Sequence, residues 1–293
     1  MHDINYSHKH ELDEHDFSGC CKDCHTSVVI IKPHIMAFAA RIKHYTREML
    51  AALKPDELYR LYQILDDFAH MDTGTHLAGL IFEEPDINKA LPTIRSYYSI
   101  FFDIHEEYLA QELLKSGNPW ETLKAFPLYS RYDTLIRNQI KARHITNNSR
   151  LVFIGCGAVP VSLILLSRLY GIRSIGLDAS KETAKLSTKV IQSFGLEKEV
   201  EIIHSDDLDL EKLDWDIALV AALAEPKARI FKSLSRVLKK KKKAFIIFRT
   251  YTGMRAVLYE PVRPSDIKGF KIVKEILPTG LVNNTTVFAE LEG

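Results

Sequence analysis

Phe153-Ile154-Gly155-Cys156-Gly157-Ala158-Val159-Pro160 is the stretch from which the rest of this chain can be read. A short apolar run, Leu151 to Ile154, ends in a glycine-x-glycine turn, and a helical run from Val161 to Tyr170 follows at once. Glycine carries no Cβ, so two of them this close allow a tight turn and a close approach of ligand to backbone. The next β-rich run, Ser174 to Asp178, ends in a carboxylate about twenty residues after the turn, where a Rossmann-type fold offers an acid to ribose hydroxyls. Turn and acid together point to a nucleoside.

The dinucleotide fingerprint would add a third glycine near Val161, where a helix N-terminus receives a pyrophosphate; none is there. A glycine pair, an acid after the second strand and Asp206 after the third suit S-adenosylmethionine, a nucleoside with no phosphates to cradle. Gly155, Cys156, Gly157 and Pro160 are therefore expected to line the cofactor turn, Asp178 to meet the ribose and Asp206 the adenine amino group. The alternatives are a purely structural turn and, for Asp206 in its acidic loop with Asp207 and Asp209, an N-cap or surface role. Cys156 has no histidine near it in sequence to activate it and reads as a small packing residue.

Outward from the turn the texture is β-rich runs alternating with helical ones: Leu151 to Gly155, Ser174 to Asp178, Val200 to His204, Ile217 to Ala221 and Ala244 to Arg249. Such alternation predicts a parallel sheet covered on both faces. Phe270 to Leu277 and Thr285 to Leu291, joined through Pro278, Thr279, Gly280 and Asn283-Asn284, predict a closing hairpin. The fold class expected is α/β, a seven-stranded Rossmann-type S-adenosylmethionine-binding domain over residues 149–293 preceded by an all-α domain over 28–148. Within that helical part, five or six helices are expected, with Pro33, Pro55 and Pro119 at first-turn positions. Asn118, Pro119 and Glu121 read as an N-cap, an N1 proline and a capping-box partner. Residues 1–27 hold almost no aliphatic side chains and cannot bury a core, so a disordered His/Cys-rich tail is expected there.

Composition narrows the function classes. The 293 residues are 46% hydrophobic and 26% charged, enough for a sizeable core. With 39 basic against 38 acidic side chains, no polyanion is called for, so no nucleic acid is expected as partner. The longest apolar runs fall well short of the roughly 20 residues of a membrane span, and the chain starts with acids and histidines rather than a basic, apolar leader. Those features predict a cytoplasmic protein with no membrane partner. Cys20, Cys21 and Cys24 crowd together beside His25, far from Cys156, so no disulfide framework is visible. The tail thiols and His25 could take a soft metal, although their spacing defines no tetrahedral site. Lys239 to Lys243 reads as a solvated connection.

Five longer strings go further: Asn118-Pro119-Trp120-Glu121-Thr122-Leu123, Tyr129-Ser130-Arg131-Tyr132, Val220-Ala221-Ala222-Leu223-Ala224-Glu225-Pro226-Lys227, Arg249-Thr250-Tyr251-Thr252-Gly253-Met254-Arg255 and Val282-Asn283-Asn284-Thr285. They closely resemble nicotianamine synthase in its archaeal form, and the resemblance runs from about residue 35 to the end. It implies a helical domain capping the Rossmann-type domain. It also implies a reaction in which an α-amino group attacks the γ-carbon of the methionine moiety of S-adenosylmethionine and methylthioadenosine leaves. The product is a metal-chelating metallophore, and the enzyme itself needs no metal.

The family's catalytic glutamate falls on Glu106 and its active-site tyrosine on Tyr132. Helical phase supports the glutamate independently. Glu106 shares a face with Phe102, Leu109 and Leu113, whereas Glu107 aligns with Asp103 and Gln111. A carboxylate on an apolar stripe suits a base for an ammonium, because desolvation disfavours its charged form. Ala222 and Leu223 are placed at the cofactor by the same resemblance, and Arg131, Arg249, Tyr251, Arg255 and Asn283 at the substrate, the arginines as grips for carboxylates. His105 and His204 are expected to be structural or pocket-lining. The acceptor is left open between glutamate, an S-adenosylmethionine-derived aminobutyrate and histidine, the last being the opine-metallophore branch. A small-molecule methyltransferase is the competing class, and a homodimer is compatible with either.

Overall fold

The computed structural model describes residues 22–143, 145–241 and 244–292. Two compact units emerge, one ending at Ile104 and including Tyr251–Pro261, the other made of His105–Thr250 with Val262 onward.

The first unit is helical: α1 (Lys22–Ile42), α2 (Arg47–Ala51), α3 (Pro55–Ala69), α4 (Gly74–Glu83) and the first two thirds of α5 (Pro85–Lys115). Pro55 opens α3 as expected, and the Glu57 carboxylate accepts from the Lys54 amide at 3.3 Å. Pro33 does not open a helix; it lies inside α1, which begins eleven residues earlier at Lys22. The expected tail thus ends sooner than residue 27, because Cys24 and Ser27 are buried side chains of α1. Cys20 and Cys21 lie outside the described residues, and His25 is exposed. Among the described residues no group of three or more His, Cys, Asp or Glu side chains is placed to hold a metal ion, and no helix is long and apolar enough to cross a membrane.

This unit's core combines aliphatic side chains with a group of aromatic rings. Tyr62 stacks on Phe101 at 4.2 Å between centroids, and its hydroxyl donates to buried Asp66 at 2.9 Å. The segment 251–261, which follows the strand Phe245–Thr250, belongs to this unit. Its single 3-10 turn, Gly253–Val257, is tied to α5 by Arg95, whose Nε and Nη2 both donate to the Ala256 carbonyl, at 3.2 and 2.9 Å.

In the second unit come the last third of α5, α6 (Pro119–Ala125) and α7 (Tyr129–Ala142), so seven helices precede the first strand among the described residues. The expected division at residue 148 is not where the packing divides. Leu109, Ala110, Leu113, Leu123 and Ile136 share one cluster with residues of the sheet. A periodic apolar stripe shows that a helix buries one face, not which layer it buries it against. At α6 the Asn118 side chain caps the Glu121 amide at 3.3 Å, but the Glu121 carboxylate pairs with Lys124 at 2.6 Å instead of completing a box.

The sheet holds β1 (Arg150–Ile154), β2 (Arg173–Asp178), β3 (Val200–His204), β4 (Ile217–Val220), β5 (Phe245–Thr250), β6 (Phe270–Ile276) and β7 (Thr285–Leu291), in the order β3-β2-β1-β4-β5-β7-β6. The first five strands run parallel, and β7 is antiparallel to both β5 and β6. α8 (Val161–Tyr170) and α9 (Lys181–Ser193) pack on one face and α10 (Lys227–Leu238) on the other. Alternation along β1 serves both layers, Leu151 and Phe153 entering one cluster and Val152 and Ile154 the other. α8 is buried from Val161 through Ser167, which accounts for its apolar residues on every side. Because β1 sits between β2 and β4, the chain reverses its direction of travel across the sheet there, and open α/β sheets bind ligands at the carboxyl ends of the strands flanking such a reversal.

Candidate active site

At that reversal lies the glycine turn. Gly155 and Gly157 have φ of +75° and +76°, a region that side chains with a Cβ rarely adopt. The Gly155 and Cys156 amides both donate to the Leu177 carbonyl, at 2.9 and 3.0 Å, which ties the turn to the end of β2. Asp178 completes the tie: its Oδ2 accepts from the Gly157 amide at 3.1 Å and its Oδ1 from Ser180 at 3.0 Å. Each carboxylate oxygen has two lone-pair directions, so these bonds hold the acid rigid while leaving acceptor capacity for a ribose. A carboxylate acceptor held beside a glycine turn suits the hydroxyls of a ribose.

A Cβ on Gly155 would come 2.8 Å from the Ala224 Cβ, so the loop after β4 packs directly on the turn. Cys156 is buried beside Gly176, and burial pushes its thiol well above the ordinary thiol range, with Asp178 adding to the effect. That favours the packing role over a nucleophilic one.

Glu106 reaches the same turn from α5. Its Oε2 accepts from the Ala158 amide at 2.9 Å, and a Cβ on Gly157 would fall within contact of the carboxylate, 3.2 Å from both Cδ and Oε1. Glu106 is half-buried and Glu107 exposed, in line with the helical phase. His105 next to it is buried, stacked 4.5 Å from Phe126, and burial pushes it down to about 3. It is neutral at physiological pH. His204 lies exposed at the end of β3 with Nε2 3.2 Å from the Ala179 carbonyl.

Asp206 is occupied locally. Its Oδ1 accepts from the Leu208 amide at 2.9 Å, and Arg229 of α10 lies 3.3 Å from its Oδ2 and 2.9 Å from buried Asp207. Arg131 and Tyr132 stand in the first turn of α7, Tyr132 against the core cluster that includes Phe153. Arg249, at the end of β5, is buried, donates from Nη2 to Ser162 at 2.8 Å and lies over the Phe153 ring. Pro160 precedes α8, and Asn283 is buried just before β7. Ala222 and Leu223 belong to the loop that packs on Gly155. Tyr251 and Arg255 are in the helical unit, where the Tyr251 hydroxyl lies 3.1 Å from that of Tyr98.

Four partners of the candidate site residues escaped the sequence reading: Ala158, Ser162, Arg229 and Lys227. Only Lys227 carried a usable signal, since it shares a stripe with Ile230, Phe231 and Leu234 on α10, and a lysine on an apolar stripe requires partners.

A family model described as "Nicotianamine synthase protein" matches residues 77–292. Nicotianamine synthase 1 of Arabidopsis thaliana is 26% identical over 262 residues, 83% of this chain and 80% of that protein. L-histidine 2-aminobutanoyltransferase of Pseudomonas aeruginosa is 24% identical over 141 residues, 48% of this chain and 53% of that protein. Among solved structures, a glutamate-to-glutamine mutant of MtNAS in complex with S-adenosylmethionine aligns with a TM-score of 0.82 at 34% identity, covering 94% of this chain and 100% of that one. MtNAS in complex with MTA and tNA aligns with the same TM-score at 35% identity, covering 93% and 99%. The chain, with its glycine turn, Asp178 and closing hairpin at the expected places, belongs to the nicotianamine synthase family.

Proposed function

We propose that this enzyme transfers the 3-amino-3-carboxypropyl group of S-adenosylmethionine to an α-amino group, releasing methylthioadenosine and building a metal-chelating metallophore. The observation that carries the reading is the position of Glu106, a half-buried carboxylate lying on the turn that Asp178 holds for the nucleoside.

The sulfonium of the substrate makes its attached carbons electrophilic. An amine is no nucleophile while protonated, and Glu106 removes that proton, the Ala158 amide fixing Oε2 so that the carboxylate keeps its orientation. As the nitrogen–carbon bond forms at the γ-carbon, the carbon–sulfur bond breaks with its electron pair going to sulfur, and neutral methylthioadenosine leaves. Which attached carbon reacts is decided by where the acceptor nitrogen is held. In this reading Tyr132 orients that nitrogen through its phenolic oxygen, Arg131 meets a substrate carboxylate, and Asp178 accepts from the ribose.

The histidine acceptor of the opine-metallophore branch is the second reading, favoured by the similarity to the Pseudomonas aeruginosa histidine transferase across 48% of this chain. Incubating the protein with S-adenosylmethionine alone, with added glutamate and with added histidine, and identifying both products by mass spectrometry, separates the readings. Methylthioadenosine with an amino acid enlarged by one or more aminobutyrate units is the expected result. S-adenosylhomocysteine as the sole nucleoside would overturn the proposal in favour of methylation.

A further inference from the structure

Lys227 is out of place for an ordinary helix lysine. It is the first residue of α10, only 6% exposed, and a cation at a helix N-terminus opposes the helix dipole. Burial lowers its pKa, against the pull of neighbouring Glu225. Its ammonium is instead satisfied by the loop that precedes it. Nζ donates to the Ala222 carbonyl at 2.9 Å, to the Ala224 carbonyl, and to Glu225 Oε1 at 3.2 Å. The Glu225 carboxylate also accepts from the Lys227 amide at 2.9 Å.

That loop is the one packed on the glycine turn. It starts where the Ala221 amide donates to the Ile154 carbonyl at the end of β1, bends through an Ala224-to-Ala221 hydrogen bond, and brings Ala224 onto Gly155. In a trans peptide the C=O and N–H point in opposite directions. A carbonyl of Ala222 drawn toward Lys227 therefore turns the Leu223 amide away from α10. An apolar side chain at 227 would fill the same space at lower cost, but it would leave two carbonyls without their donor and the loop without its tether.

We propose that Lys227 is a positioning residue for S-adenosylmethionine: by drawing the Ala222 and Ala224 carbonyls toward α10, it fixes the Ala221–Ala224 loop against the Gly155 turn and so sets the wall of the nucleoside site. It acts through the loop and touches no reacting atom. The inference rests on the reading that this turn binds S-adenosylmethionine.

The test uses the full chain with Lys227→Met, which keeps the stem and removes the charge, and Lys227→Arg, which keeps the charge. Amide hydrogen exchange of residues 221–226 is read without ligand, and binding and turnover of S-adenosylmethionine with it. In Lys227→Met, exchange in the loop is expected to quicken about tenfold. The dissociation constant and KM for S-adenosylmethionine should rise together by about tenfold, about 1.4 kcal/mol, with kcat at saturation within about threefold of the parent. Lys227→Arg should recover most of the affinity. Unchanged loop exchange, or an affinity within twofold of the parent alongside a lowered thermal midpoint, would reduce Lys227 to a stability role and overturn the proposal. Failure of the transfer reading shows separately, as the wrong nucleoside released by the unaltered protein, whereas the exchange measurement needs no ligand.

Discussion

Two carboxylates hold adjacent amides of one turn, and they arrive by different routes. Asp178 reaches the Gly157 amide from 21 residues along the chain, through the end of the neighbouring strand. Glu106 reaches the Ala158 amide from 52 residues away, through a helix packed on the sheet. Sheet register places the first, since β1 pairs with β2 as far as Ile154 and Leu177 and so sets Asp178, the next residue, beside the turn that follows β1. Helix packing places the second, and it brings a longer side chain that remains half-buried. A short, rigid, doubly bonded acid suits binding; a glutamate at the edge of the turn suits proton transfer. Under the proposed function, affinity would fall to Asp178 and turnover to Glu106.

The most severe way to break that assignment is Glu106→Gln. The amide oxygen can still accept from Ala158 but the side chain no longer takes a proton, so turnover should fall by about 10²–10⁴ with the dissociation constant of S-adenosylmethionine within about threefold of the parent. Steady-state release of methylthioadenosine and titration calorimetry read the two quantities; a loss of affinity as large as the loss of rate would erase the difference between the acids. Asp178→Ala comes next, with affinity for S-adenosylmethionine expected to weaken by about 30- to 100-fold, as for the loss of charge-assisted hydrogen bonds. Asp206→Ala should cost less than about tenfold in the same titration, because Leu208 and Arg229 already engage its oxygens and offset its charge, which leaves one further hydrogen bond worth about 0.5–1.5 kcal/mol. If Asp206→Ala matches Asp178→Ala, the acid after β3 is a nucleoside contact of equal rank.

The smallest effect on binding or turnover is expected at His105, beside Glu106; its signature lies in stability instead. Its pKa in the folded chain is about 3 against an ordinary 6.5, so between those values the unfolded chain binds a proton that the folded chain does not. Stability from keeping it neutral is complete above pH 6.5 and is lost as the pH falls toward 3. The expected slope is up to about 1.4 kcal/mol per pH unit. His105→Phe should reduce that slope in denaturant titrations at pH 4 to 7 and leave the alkaline side unchanged. An identical slope in both proteins would mean that His105 is not held neutral.

Much of the sheet unit was legible because its signals are local. The glycine turn, the helix after it and the acid ending β2 lie within one βαβ unit, where the hydrogen bonds to Leu177 and Asp178 are dictated by strand pairing. The orientation of Glu106 was legible for a similar reason, since Glu106 and Glu107 differ by one helical step and only one can share the stripe of Leu109 and Leu113. Pro33 misled because a proline can sit inside a long helix as well as open one, and the sequence ahead of it looked too polar to bury anything. For Asp206 the sequence left an adenine contact and a local role both open, and the structure adds the partner that no local pattern records, Arg229 of α10, 23 residues farther along.

By itself, then, the sequence determined the succession of strands, the turn, the acid paired with it and the inward glutamate, because each follows from periodicity or from bonding between near neighbours, whereas the five or six helices expected ahead of the first strand are seven among the described residues. The tertiary structure alone decided three things: that α6, α7 and the end of α5 pack with the sheet, that residues 251–261 join the helical unit, and that Lys227 tethers the loop on Gly155. The physical reason is the same in each case. A pattern of apolar residues states that a surface is buried, while the partner that buries it is chosen by the packing of distant segments.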